Sequence, residues 1–172
     1  MFNSGASVIA ADYDKDGDLD LFICGRVSPG EYPVAPKSFL LRNDAVAGVP
    51  KFTDISASQL PLQGNLGMVT SALWTDFDND GWSDLVLVGE FMPVTFIKNK
   101  AGVLQQNAPA TIEKSNGWWN SLVAGDFDND GDMDYVAGNV GLNNWLKASP
   151  AEPVCVYAKD FDKNGRIDPI LF

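Results

Sequence analysis

Short apolar runs closed by Asp, Asn, Gly or Pro recur along the chain. Four of them, SVIAAD, TSALWTD, NSLVAGD and VCVYAKD, end on an acidic segment, and four others, DLFICG, DLVLVG, DYVAGN and DPILF, follow one. All are rich in Val, Ile, Leu and aromatic residues and too short for helices, so they read as strands. The unit is strand, acidic turn, strand. Further strand patterns lie between units: SFLLRND (38–44) and KFTDIS (51–56) after the first, VTFIKN (94–99) and GVLQQN (102–107) after the second. A hairpin with two more strands makes a four-stranded antiparallel sheet, the blade of a β-propeller. No amphipathic helix pattern stands out, and GLNNWLKAS (141–149) has room for one short turn.

The acidic turns share a nine-residue pattern: DYDKDGDLD at 12–20, DFDNDGWSD at 76–84, DFDNDGDMD at 126–134 and DFDKNGRID at 160–168. Asp holds positions 1, 3 and 9, an aromatic position 2, Gly position 6, and Asp or Asn position 5. The turns begin 64, 50 and 34 residues apart. The first two spacings suit a four-stranded blade, and the third is tight, so residues 139–153 imply a reduced blade. The expected architecture is all-β: residues 1–172 form one repeat region of about three blades plus the start of a fourth. That is an incomplete propeller, because closure takes about 4–8 blades.

The composition bears on what these turns hold. Apolar residues make up 45% of the 172, enough for a packed core, and no apolar run approaches a membrane span. The N-terminal MFNSGASVIAADYD does not read as a secretory signal. The formal charge of −11 argues against nucleic acid and anionic membranes as partners. The four turns concentrate 17 of the 23 acidic residues. Carboxylates packed so densely repel one another unless a cation lies among them.

Calcium suits that pattern, taking ~6–8 hard oxygens at roughly 2.3–2.6 Å in flexible geometry. The side-chain ligands expected are Asp12, Asp14, Asp16 and Asp20; Asp76, Asp78, Asp80 and Asp84; Asp126, Asp128, Asp130 and Asp134; and Asp160, Asp162, Asn164 and Asp168. Position 7 adds a backbone carbonyl from Asp18, Trp82, Asp132 and Arg166, and Gly17, Gly81, Gly131 and Gly165 permit the sharp turn. Up to four Ca²⁺ ions are expected, and they would bring the formal charge of −11 to about −3. The fourth turn, with Asn164 and Arg166, is expected to be the weakest. An EF-hand would need Glu at position 12 between helices, but that position is Ile23, Leu87, Ala137 and Leu171. Magnesium demands a stricter octahedron. Solvated Asp/Gly turns are the plain alternative, which the fourfold recurrence disfavours.

DxDxDGxxD between two strands resembles the FG-GAP/VCBS repeat of integrin α subunits and bacterial surface proteins. The stretch from GNVGLNNW to YAKDFDKNGRIDPILF is similar to bacterial VCBS-repeat proteins associated with the ASPIC/UnbV domain. Literal Phe-Gly and Gly-Ala-Pro signatures are absent, and Gly25, Gly89 and Gly138 echo the glycine that follows each loop. The resemblance implies a propeller whose calcium loops join the two inner strands of each blade, in an extracytoplasmic location.

The expected role is a scaffold or a recognition surface for a protein or carbohydrate, with structural calcium and no enzymatic activity. The remaining blades of a longer protein, or another copy of the chain, would complete the ring. The alternative is the propeller portion of a polysaccharide-acting enzyme. Against it, the chain has no His, and few acids lie outside the turns: Asp44, Asp54, Glu31, Glu90, Glu113 and Glu152. Trp118, Trp119 and Trp145 read as blade-to-blade packing, with a sugar-stacking platform as the other reading. Cys24 and Cys155 lie in apolar runs and read as buried thiols, their pairing left open by spacing alone.

Overall fold

The computed structural model describes residues 4–105, 110–141, 145–149 and 151–172. Its strands are β1 (Ser4–Ala11), β2 (Asp20–Val27), β3 (Phe39–Asn43), β4 (Phe52–Asp54), β5 (Met68–Thr75), β6 (Asp84–Met92), β7 (Thr95–Ile97), β8 (Ala110–Thr111), β9 (Gly117–Gly125), β10 (Asp134–Asn139), β11 (Val156–Lys159) and β12 (Asp168–Leu171). β1 to β4 form a four-stranded antiparallel meander, and β5 to β8 repeat it. β9 pairs with β10 and also meets the end of β6, through Glu90↔Trp118 and Met92↔Gly117. β11 and β12 form a separate hairpin. Among the described residues no sheet closes on itself, and the architecture is that of an incomplete β-propeller.

The first strands of successive sheets lie side by side, β1 against β5 and β5 against β9, as the inner strands of adjacent blades do. β6 shows why the blades stack. Its run is buried on both faces, and alternate residues point to opposite sides. Leu85 and Leu87 join Tyr13, Phe22, Leu40, Leu60 and Ile97 in one core, between the first and second blades. Val86 and Val88 join Val94 and Leu122 in the other, against Trp119 and Tyr135.

Several expectations change. GVLQQN does not form the outer strand of the second blade. Leu104 makes only an isolated bridge to Asn99, residues 106 and 107 lie outside the described part, and the outer strand is Ala110–Thr111. Val103 and Lys100 exchange backbone hydrogen bonds, which turns the chain where a strand was expected to run on. A short helix, α1 (Ser56–Gln59), and a 3-10 turn (Pro61–Gly64) follow β4. α1 is anchored because the buried Ser56 hydroxyl accepts the Leu40 N–H at 2.9 Å. Of 141–149, residues 142–144 lie outside the described part and the others are not helical. Cys24 is a buried free thiol, whereas Cys155 is free and only half-buried.

Candidate metal loops

Each nine-residue turn joins the two strands of a hairpin: β1 to β2, β5 to β6, β9 to β10 and β11 to β12. The same three hydrogen bonds shape all four. First, the carboxylate at position 1 accepts the N–H of the glycine at position 6. Gly17 donates to Asp12 at 3.1 Å, Gly81 to Asp76 at 2.7 Å, Gly131 to Asp126 at 3.2 Å and Gly165 to Asp160 at 2.9 Å. Second, position 9 accepts the N–H of position 2: Tyr13 to Asp20, Phe77 to Asp84, Phe127 to Asp134 and Phe161 to Asp168. Third, position 5 accepts the N–H of position 7: Asp18 to Asp16, Trp82 to Asp80, Asp132 to Asp130 and Arg166 to Asn164. Position 4 takes a left-handed backbone at Lys15, Asn79, Asn129 and Lys163, with φ between 57° and 64°. The glycine at position 6 follows with φ of 84° to 98°, a region that favours Gly.

This wrapping turns three carboxylates inward. In each loop, oxygens from positions 1, 3 and 9 all lie within 4.8 Å of one another: Asp12, Asp14 and Asp20; Asp76, Asp78 and Asp84; Asp126, Asp128 and Asp134; Asp160, Asp162 and Asp168. These triads could hold a metal ion. The position-5 carboxylates of Asp16, Asp80 and Asp130 are not among the converging groups, and these three side chains and that of Asn164 each cap the turn by accepting the position-7 N–H. Asp18, Trp82, Asp132 and Arg166 take part in that cap through their N–H groups.

In the first loop one inward carboxylate oxygen lacks a partner. Asp12 Oδ1 is buried with no hydrogen-bond donor. A buried carboxylate oxygen left without one is costly, and a cation among the three carboxylates would satisfy it. Asp20 and Asp84 are fully buried. Burial, opposed by the Asn43 amide and reinforced by the charge of Asp14, pushes the Asp20 carboxyl up to about 6. Burial likewise raises Asp14, with Asp16 adding to the rise, and raises Asp84 against the Asn99 amide. The donor set is hard oxygen throughout and fits a hard divalent cation.

Residues outside the motif complete the loops. Backbone N–H groups just past or at the end of the third strand hold the position-9 carboxylates: Asn43 donates to Asp20 Oδ1 at 2.8 Å and Asn99 to Asp84 Oδ1 at 2.7 Å. The Lys98 ammonium pairs with Asp78 and lies 3.1 Å from Asp80, inside the second loop. Reading the turns alone misses these residues. The matching pairs Arg42-Asn43 and Lys98-Asn99, at equal places in SFLLRND and VTFIKN, were the available signal.

The position-2 aromatic turns away from the carboxylates. Tyr13 is buried and stacks on Trp74 with ring centroids 5.7 Å apart, and Phe77 meets Phe96 edge-on at 5.3 Å. In the first two loops it therefore packs into the apolar contacts of the blades, whereas Phe127 and Phe161 are more than half exposed. The tryptophans divide: Trp119 packs against the second core and donates to the Ser115 carbonyl, Trp118 lies 5.3 Å from Phe91, and Trp145 is 77% exposed. At the far ends of β2 and β6 from the loops, buried Glu90 pairs with Arg26 at 2.6 Å and accepts the Tyr32 hydroxyl at 3.2 Å.

No curated protein matches the chain. The FG-GAP-like repeat family matches residues 76–137, from the second loop into the strand after the third. Both loops in that span have the geometry found at 12–20 and 160–168. The chain thus carries an FG-GAP-like repeat over residues 76–137.

Proposed function

We propose that the chain is a calcium-binding repeat module of an extracytoplasmic protein, in which structural calcium holds a scaffold or a protein- or carbohydrate-recognition surface. One observation carries this reading: the same three carboxylates converge in all four loops. Asp12, Asp14 and Asp20 would hold the ion in the first loop, with their counterparts in the others. The position-5 side chains and the carbonyls of Asp18, Trp82, Asp132 and Arg166 would complete the set. The bound ion supplies the counter-charge that lets buried Asp20 and Asp84 remain ionised. Calcium is favoured over magnesium by the number of oxygens and by loops built from flexible turns. Millimolar calcium outside the cytoplasm suits such sites. The role is non-catalytic, because the loop carboxylates are committed as ligands and Glu90 is held by Arg26.

Calorimetric titration of calcium into the chelator-stripped chain tests this. Saturable binding is expected, with the fourth loop weakest, so that Asp160→Asn removes the weakest phase and spares the others. Absence of any binding heat at millimolar calcium would sink the proposal, and a fourth loop that binds tightest would refute the ranking.

Lys98 makes a further prediction. Its ammonium lies where a cation would gather in the second loop. An exposed ion pair is worth about 0.5–1 kcal/mol, so Lys98→Ala should tighten calcium at that loop about two- to fivefold. Weaker binding in the variant would show that Lys98 supports the loop instead of competing with the ion.

A further inference from the structure

We infer that the first and second metal loops bind their cations cooperatively, and that Asn99 is the positioning residue that couples them. This rests on the calcium reading above and adds a dependence between two sites. Asn99 is fully buried. Its backbone N–H holds Asp84 Oδ1, a ligand of the second loop, at 2.7 Å. Its side-chain nitrogen donates to the Ser83 carbonyl of that same loop at 2.9 Å and to the Tyr13 carbonyl of the first loop at 2.7 Å. Both side-chain partners are carbonyls, so the NH₂ end of the amide must face them. Tyr13 lies between the ligands Asp12 and Asp14, and Ser83 directly precedes Asp84. One amide therefore grips both loops next to their ligands.

The segment around Asn99 reinforces the tie. Gly102, in the turn after it, abuts Asp14 so closely that a Cβ there would lie 3.2 Å from the Asp14 Cβ. Lys98 reaches Asp78 and Asp80. From the first loop, the Lys15 ammonium sits over the Trp82 ring of the second, 4.3 Å from its centroid. Residues 98–102 thus touch a ligand of each loop. Asn43, the counterpart of Asn99, differs. Its side-chain oxygen accepts the Lys51 N–H at 3.0 Å, within its own blade. Ordering either loop around an ion fixes the carbonyl that Asn99 holds there. The other loop is then ordered at lower entropic cost, which is positive cooperativity.

The test uses the whole chain carrying Asp126→Asn and Asp160→Asn, which leaves the first two loops to bind, with calcium as the only ligand. Calorimetry gives the affinity of the second loop with the first intact and with it disabled by Asp12→Asn. Disabling the first loop should weaken the second about five- to tenfold, and linkage requires Asp76→Asn to weaken the first by the same factor. In the Asn99→Ala background the dependence should fall below about twofold, under the roughly fivefold at which typical couplings begin. Asn99→Ser keeps a donor too short to span both loops and gives the same reading if the alanine variant does not fold. Equal affinities with and without Asp12→Asn would overturn the cooperativity. A dependence unchanged by the Asn99 substitutions would overturn the assignment to Asn99. If the parent chain bound no calcium, the metal reading itself would fall, and this inference with it.

Discussion

Removing calcium should lower the melting temperature of the chain by about 12–24 °C. A ligand that binds only the folded state stabilises it by RT ln(1 + [L]/Kd), which is about 1.4 kcal/mol at tenfold excess over Kd and about 2.7 kcal/mol at hundredfold. Four loops filled at the lower figure contribute roughly 6 kcal/mol, and each kcal/mol moves the midpoint of a chain this long by about 2–4 °C. The effect belongs to the folded state because the sites exist only there. Asp12 and Asp20 are brought together by the β1–β2 register, Asp76 and Asp84 by β5–β6. Without the ion, fully buried Asp20 and Asp84 keep only their backbone donors, and Asp12 Oδ1 keeps none. Thermal unfolding followed by circular dichroism in millimolar calcium and then in excess chelator makes the comparison. A midpoint that moves by less than a degree would mean that the turns are ordinary solvated loops. Magnesium in place of calcium should restore only part of the shift, since it holds its waters and its octahedron more tightly.

The parts of this molecule written locally were legible in its sequence. The turn is nine residues long, its glycine and its Asp positions serve one another through hydrogen bonds within the loop, and the eight strands flanking the loops follow at once. The outer strands were less legible because they depend on the strand they pair with. Phe52–Asp54 and Ala110–Thr111 are three and two residues long, too short to show any periodicity of their own. Asn43 and Asn99 lie 23 and 15 residues in sequence from the carboxylates they hold. No motif confined to the turn could include them. At position 5 one side-chain oxygen accepts the position-7 N–H, a contact set by the left-handed residue at position 4 and the glycine at position 6 and not visible in the spacing of the Asp positions. The tryptophans did not form one cluster, because β9 carries Trp118 and Trp119 on opposite faces of one strand: one ring meets Phe91, the other the core between blades.

Replacing Gly89 with alanine should destabilise the chain by about 3 kcal/mol, the upper part of the usual range for overpacking a core. Gly25 and Gly89 lie five residues after the last Asp of their loops and Gly138 four, and each is closed in. A Cβ on Gly25 would lie 2.3 Å from the Lys37 carbonyl oxygen, and one on Gly138 2.5 Å from the Ser121 hydroxyl. Gly89 is the tightest: its Cβ would lie 2.1 Å from the Met68 carbonyl oxygen and 2.6 Å from Met92 Sδ. The Met92 side chain can swing aside, but the Met68 carbonyl belongs to β5, paired to β6 through Met68↔Glu90 and Val69↔Gly89. Relief therefore means parting the two inner strands of the central blade, just where β5 shifts register. The loss corresponds to a fall of about 6–12 °C in the melting midpoint. Gly5→Ala is the control: its nearest neighbour would be 3.5 Å away, an ordinary contact. There the gain in chain stiffness should leave stability unchanged or raise it by about 0.5 kcal/mol. Equal midpoints for the two variants, measured in the same calcium concentration, would show that the β5–β6 approach is soft and that the glycine after the loop has no packing role. If the close approach is rigid, Gly89→Ala should also weaken calcium at the second loop, because β6 starts with the proposed ligand Asp84 and carries any strand displacement directly to it.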